Sequence, residues 1–252
     1  MRNKVVVFDL DGTLLNGNNE IIGGSQTLES LATLKQMGCT LAICTGRLDH
    51  DIIKINQSYQ LGIEHRISQN GAVINYNNQL ESILLDKEES ISIYQYLLDK
   101  NVRIELNTVT NRYWNSLRDP LFPKELYDSH IVIEDYREII VCQPTVLFLI
   151  IGENNILREI EEYVNTNYRY TKAVKTSRTS LEILHSNSSK GHAIKKLYSD
   201  CEVYAIGDSA NDFDMFDVAK QGYLVSNIEC EKVCHRKASI LEALEDIIIK
   251  IQ

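Results

Sequence analysis

Nothing in the 252 residues approaches the run of about 18 apolar residues that a membrane-spanning helix needs. The amino terminus reads Met1-Arg2-Asn3-Lys4 before a short Val-rich segment, without the apolar core of an export signal, so a cytoplasmic location and no membrane partner are expected. Basic clusters are missing as well. With 26 Lys and Arg against 35 Asp and Glu, the net charge of −9 works against nucleic acid, whose phosphates are bound by basic patches. The same balance repels an anionic phosphate ester. Any phosphate site must therefore be made locally positive by a metal, a lysine or backbone N–H groups.

Proline is scarce, with three in all, and Pro120, Pro123 and Pro144 fall together in the middle of the chain. No Gly/Ser linker, internal repeat or low-complexity segment separates domains. The six cysteines (Cys39, Cys44, Cys142, Cys201, Cys230, Cys234) are scattered and lack the spacing of a disulfide framework, so reduced thiols are expected. Cys230, Cys234 and His235 lack the second Cys/His pair that a zinc site normally shows. What is present is ordinary globular composition, 44% hydrophobic and 24% charged, at a length that permits one large domain or two smaller ones.

Lys4 to Phe8 is a β-branched run without polar alternation, as in a strand buried on both faces of a parallel sheet. Ser25 can cap a helix in which Leu28, Leu31, Ala32 and Leu34 recur at helical spacing before Gly38 ends it. Cys39 to Cys44 reads as the next strand. Strand, helix and strand within about fifty residues make the βαβ signature of an α/β domain. The pattern returns with a helix over 189–198, a strand over 203–206 and a helix opening near Asn211, and an apolar helix over 240–251 closes the chain. Between them lies α+β material: an amphipathic helix around Ile91 to Leu98, strands over 102–106, 112–116 and 145–151, a helix over 156–164, and strands over 169–174 and 181–184. The expected organisation is an α/β core of residues 1–82 and 187–252 interrupted by an α+β domain of residues 83–186.

Four segments carry chemistry. Asp9-Leu10-Asp11-Gly12-Thr13 sets two carboxylates, two residues apart, at the carboxyl end of a parallel strand, where open α/β sheets bind ligands. One carboxylate can attack phosphorus while the other gives a proton to the leaving alkoxide and takes one from water. An acidic turn relieved by Gly12 is the bland alternative. Thr45 and Gly46 offer a hydroxyl and an unhindered N–H after the next strand, although a simple turn would need only the glycine. Lys190, before Gly191 at a helix start, joins an ammonium to the helix dipole; a solvated surface lysine is the plainer reading. Gly207-Asp208-Ser209-Ala210-Asn211-Asp212 adds two carboxylates, and Asp9, Asp208 and a backbone carbonyl would supply oxygen ligands for magnesium. An acidic helix start would also welcome those aspartates.

In order and spacing these segments resemble the four motifs of the haloacid dehalogenase superfamily. The insert between the second and third motifs, the Asn70-Gly71 pair and the Leu181-Glu182-Ile183 strand resemble its Cof-type subgroup of sugar-phosphate phosphatases with a class IIB (C2B) cap. The resemblance implies an α/β, Rossmann-like core with an inserted α+β cap, and a magnesium-dependent hydrolase of small phosphorylated metabolites acting through an aspartyl-phosphate. It implies Asp9 as nucleophile, Asp11 as general acid/base and Lys190 as the neutralising cation. Leu10, Thr45, Gly46, Arg47, Asn70 and Asn211 would contact phosphate or substrate. Asp9, the Asp11 carbonyl and Asp208 would hold Mg2+, with Asp212 supporting the metal shell or Lys190. Where the family often has Gly-Val-Ser before the lysine, this chain has Asn187-Ser188-Ser189, with Asn187 able to take up left-handed backbone.

Two other readings stay open: a phosphomutase, which returns the phosphoryl group to a sugar, and a non-catalytic phosphosugar binder that inherited the fold. Trp114, Arg112, His130, Lys175 and Arg178 are candidate specificity contacts in the insert, though ordinary surface or core positions suit them equally. A monomer or weak homodimer is expected.

Overall fold

The computed structural model of the chain describes residues 2–116 and 130–252, His130 by its backbone alone. Two compact units form, Met1–Leu80 with Ser189–Gln252, and Glu81–Ser188. The first unit opens with β1 (Lys4–Phe8), in which Val5 to Phe8 are fully buried. Each such side chain contributes about 1.5–3 kcal/mol on burial, which fixes the strand in the sheet interior. Helix α1 (Gly24–Gln36) follows. Its start differs from the sequence expectation: Ser25 lies in the first turn, and Gly23, at φ 81°, is the N-cap. Thr27 Oγ1 donates to the Ile22 carbonyl at 2.6 Å and ties that turn to the preceding loop, so the helix begins earlier than a Ser25 cap allows. Next come β2 (Thr40–Cys44), α2 (Asp49–Ser58), β3 (His65–Ser68), β4 (Val73–Tyr76) and β5 (Gln79–Ser82).

The second unit contains α3 (Lys87–Leu98), β6 (Arg103–Thr108), β7 (Arg112–Trp114), β8 (His130–Val132), α4 (Arg137–Cys142), β9 (Thr145–Ile151), α5 (Asn154–Asn167), β10 (Thr171–Lys175) and β11 (Ser180–His185). The Asp86 side chain caps α3 by accepting from the Glu89 N–H. The sheet runs β10-β11-β9-β6-β7-β8, and its core joins Tyr94, Leu97, Ile104, Phe148, Ile160 and Ile183. Buried Tyr136 donates from its hydroxyl to the carbonyls of Ile104 and Tyr113, at 2.9 and 3.0 Å, and so bridges β6 and β7. Asn187 is not left-handed; its N–H donates to His185 Nδ1, which closes the turn in ordinary backbone.

Back in the first unit, α6 (Lys190–Leu197) is capped by Ser189, whose hydroxyl accepts from the His192 N–H. It leads to β12 (Glu202–Gly207), α7 (Phe213–Val218), β13 (Gln221–Leu224), β14 (His235–Arg236) and α8 (Ile240–Ile251). The sheet order is β14-β13-β12-β1-β2-β3-β4-β5, parallel from β14 to β3. Strand β1 lies between β12 and β2, with Phe8 opposite both Ile206 and Ile43. Chain order reverses there, so the connections leave β1 in opposite directions and open a crevice at the carboxyl ends. No helix among the described residues is long and apolar enough to cross a membrane.

Candidate active site

Asp9, Thr45 and Asp208 each follow the last residue of a parallel strand, β1, β2 and β12 respectively. The matched register of those strands brings the three to one crevice. Asp9 continues the ladder, its N–H donating to the Ile206 carbonyl at 3.1 Å, so its side chain is aimed by the sheet. Beyond it the chain must turn sharply. Gly12, at φ +78°, makes that turn, and a Cβ there would lie 2.4 Å from Asp208 Oδ2. Glycine is thus required both by the backbone and by the approach of the second carboxylate. Thr13 Oγ1 donates to Asp208 Oδ1 at 3.1 Å and holds that side chain in place.

Lys190 comes from the first residue of α6 and is buried with its ammonium between two carboxylates, 2.8 Å from Asp9 Oδ1 and 2.6 Å from Asp212 Oδ1. The start of α6 can come this close because Gly191 has no Cβ; one would meet the Asp214 carbonyl at 2.3 Å. Asp214 Oδ2 in turn accepts the Gly191 N–H. Asp212 uses its other oxygen to accept the N–H groups of Asp208 and Ser209, at 2.9 and 3.0 Å. One buried carboxylate therefore fixes both the lysine and the loop carrying Asp208.

Burial pushes the Asp9 carboxyl up to about 7; Lys190 pulls it back, and Asp212 and Asp11 push it further. Burial, then Asp212, raises Asp208 to about 6. Burial by itself would lower the Lys190 ammonium, but Asp212 and Asp9 outweigh it and hold the group well above its ordinary value. Carboxylate oxygens of Asp9, Asp208 and Asp212 lie within 4.8 Å of one another. Hard oxygen donors with negative charge in excess of the neighbouring ammonium are what a divalent cation such as magnesium requires, so these residues fit one. Cys230, Cys234 and His235 form no such group among the described residues, and all six cysteines are free thiols.

Arg47, expected to contact phosphate or substrate, pairs with Asp11. Its Nε donates to Asp11 Oδ2 at 2.8 Å and its Nη2 to Asp11 Oδ1 at 2.6 Å, a bidentate pair at the rim. Burial lowers the guanidinium, but the bonds and charge of Asp11 outweigh it and raise it overall. Thr45 is buried, and its Oγ1 accepts the Arg47 N–H at 3.3 Å; Gly46 lies between them, half-buried. Behind this loop, Gln69 and Asn70 are both left-handed, with their N–H groups donating to the carbonyls of Arg47 and Thr45. Asn211 Nδ2 donates to Asn70 Oδ1 at 3.3 Å. Leu10 is buried, its carbonyl accepting from the N–H groups of Thr13 and Leu15.

The candidates in the second unit are less uniform. Trp114 is fully buried under the Arg103 guanidinium, Arg112 is buried against Glu105 at 3.2 Å, Lys175 bonds Asn154, and Arg178 is exposed. The side chain of His130 lies outside the described residues. Sequence reading missed Asn19, which bonds Arg47, and Ser226, whose hydroxyl donates to the Asp208 carbonyl. The Asn16-Gly17-Asn18-Asn19 run marks a turn but not which of its amides is used.

Similarity to known proteins agrees with this architecture. The family model described as haloacid dehalogenase-like hydrolase matches residues 6–233. The chain belongs to that family and is an enzyme of its phosphatase type. It is 26% identical to 5-amino-6-(5-phospho-D-ribitylamino)uracil phosphatase YwtE of Bacillus subtilis, over 89% of this chain and 88% of the relative. Phosphatase YwpJ of the same organism is 25% identical, over 89% and 90%. Among solved structures, a sugar phosphatase of subclass IIB superposes with a TM-score of 0.78 at 17% identity, covering 99% of this chain and 100% of that one.

Proposed function

We propose that this enzyme is a magnesium-dependent phosphatase that hydrolyses small phosphorylated metabolites, sugar phosphates foremost, through an aspartyl-phosphate on Asp9. The observation that carries the reading is the buried Lys190 ammonium, within 2.8 Å of both Asp9 and Asp212 beside a third carboxylate, Asp208. A lone carboxylate approaching a phosphate dianion is repelled by several kcal/mol at an effective dielectric constant of about 20, and a fixed ammonium in the crevice offsets part of that. Asp9, the Asp11 carbonyl and Asp208 would hold Mg2+. Asp212, with both oxygens already engaged, supports Lys190 and the Asp208 loop. When bound, the cation supplies charge for the phosphate oxygens and keeps the Asp9 carboxyl ionised.

In the first half-reaction Asp9 forms a bond to phosphorus, the phosphorus–oxygen bond of the ester breaks, and the Asp11 carboxyl gives its proton to the departing alkoxide. Water then attacks phosphorus while the Asp11 carboxylate takes its proton; the bond to Asp9 breaks and inorganic phosphate leaves. Thr45 Oγ1 and the Gly46 N–H orient the phosphate oxygens. The substrate class draws support from a relative named as a 5-amino-6-(5-phospho-D-ribitylamino)uracil phosphatase and from a structural neighbour described as a sugar phosphatase. Phosphate release from a panel of sugar phosphates and other small esters, with and without magnesium, tests it with wild type and Asp9→Asn side by side. Magnesium-dependent release lost in the variant is expected; release that survives the substitution would overturn the assignment of the nucleophile.

A further inference from the structure

We propose that Asn19 is a positioning residue that, through Arg47, sets the direction from which the Asp11 carboxyl meets the leaving group. This rests on the reading of Asp11 as acid/base given above. Arg47 Nη2 donates at once to Asp11 Oδ1, at 2.6 Å, and to Asn19 Oδ1, at 2.7 Å, while Nε donates to Asp11 Oδ2 at 2.8 Å. A guanidinium is a rigid plane, so a second acceptor on Nη2 beside Asp11 fixes its rotation, and its fork then fixes the plane of the carboxyl. Arg47 Nη1 is buried and finds no hydrogen-bond partner among the described residues, so Asn19 is the restraint seen beyond Asp11 itself.

Asn19 is itself held by two bonds to its backbone. Its carbonyl accepts from the Tyr59 hydroxyl at 2.7 Å, just past the end of α2. Its N–H donates to the Asn16 carbonyl at 3.0 Å, and Asn16 Oδ1 gathers the N–H groups of Asn18 and Glu20. The backbone at Asn19 is left-handed, φ 63°, a conformation open to Asn and Gly but costly for most residues. A preorganised loop thus presents one amide oxygen to the arginine. Proton transfer to a leaving alkoxide depends on the approach of the donor, whereas an aryl oxide departs without a proton. Misaligning Asp11 should therefore penalise alkyl esters selectively.

The test compares kcat/KM for p-nitrophenyl phosphate with that for the alkyl phosphate most rapidly hydrolysed by the wild type. Asn19→Gly removes the amide without straining the backbone. It should lower kcat/KM on the alkyl ester by about tenfold or more and on the aryl ester by less than about threefold. Asn19→Asp, which keeps an oxygen acceptor at the same point, should restore most of the alkyl-ester activity. Tyr59→Phe, which releases the Asn19 carbonyl, should show the same contrast at smaller size, and it carries the test if Asn19→Gly does not fold. Equal losses on both esters, or no loss on either, would overturn the proposal. Asp11→Asn separates it from the parent reading: if that variant stays within about tenfold of wild type on the alkyl ester, the acid/base assignment itself falls, whatever the Asn19 variants do.

Discussion

Replacing Lys190 by methionine keeps the aliphatic stem and removes the charge. The ammonium is 1% exposed and bridges Asp9 and Asp212, both buried, so the substitution leaves two buried carboxylates facing each other. Breaking a buried pair by removing one partner costs about 3–5 kcal/mol, which in a protein of this size lowers Tm by about 10 °C. The loss should depend on pH in a defined sense. Burial already raises the folded value of Asp9 to about 7, and loss of the ammonium raises it further. A carboxyl raised in the folded state is penalised in full above its folded pKa and not at all below its unfolded one, near 4. Melting in EDTA should therefore show a larger deficit relative to wild type at pH 8 than at pH 5, where Asp9 is protonated in both folded proteins and its share of the deficit is gone. Phosphate release should fall by at least about 100-fold, since the fixed charge on the transferring group is gone. A deficit equal at both pH values, or a Tm change under about 2 °C at pH 8, would refute the electrostatic account of the cluster.

Gly12→Ala would force a Cβ to within 2.4 Å of Asp208 Oδ2 and strain a backbone at φ +78°. Loss of most magnesium affinity and activity is expected, read by calorimetric titration with Mg2+; an unchanged titration would mean that Asp208 can move without consequence. Tyr136→Phe removes one hydroxyl that serves two carbonyls in the second unit. It should cost about 1–3 kcal/mol in urea unfolding while phosphate release at saturating substrate stays near wild type. A large fall in turnover would mean that the interior of this unit is coupled to the chemistry.

The strands that carry the site were readable because each is a short apolar run ending in a polar turn: Val5–Phe8, Leu41–Cys44 and Val203–Ile206, all buried. Lys190 was readable as a helix-start cation, though its burial was not, since that depends on Gly191 meeting the Asp214 carbonyl across a tertiary contact. Other elements left too little pattern. Helix α2 has an uncapped start at Leu48, β5 is exposed at all four residues, and α4, at six residues, is shorter than two turns. Pairings between distant residues were beyond reach for a different reason. Arg47 and Asp11 are 36 residues apart, and sequence offers several carboxylates for one guanidinium; only the register of β1 against β2 decides between them. The choice of Asn19 among its neighbouring asparagines is made by Tyr59, 40 residues on.

The distribution of those pairs bears on the metal. Four carboxylates converge on the crevice and share two cationic side chains. Arg47 is committed to Asp11, and Lys190 is divided between Asp9 and Asp212, which leaves Asp208 with the Thr13 hydroxyl as its side-chain partner and a carboxyl raised to about 6. A third basic side chain would cancel the excess but would also occupy, as a hydrogen-bond donor, the oxygen of Asp9 that has to attack phosphorus. A small divalent ion held by Asp9 and Asp208 would offset the same charge without adding a further hydrogen-bond donor to Asp9. Surplus negative charge on this side of the crevice, costly to the fold by itself, is therefore what the proposed chemistry asks of the chain.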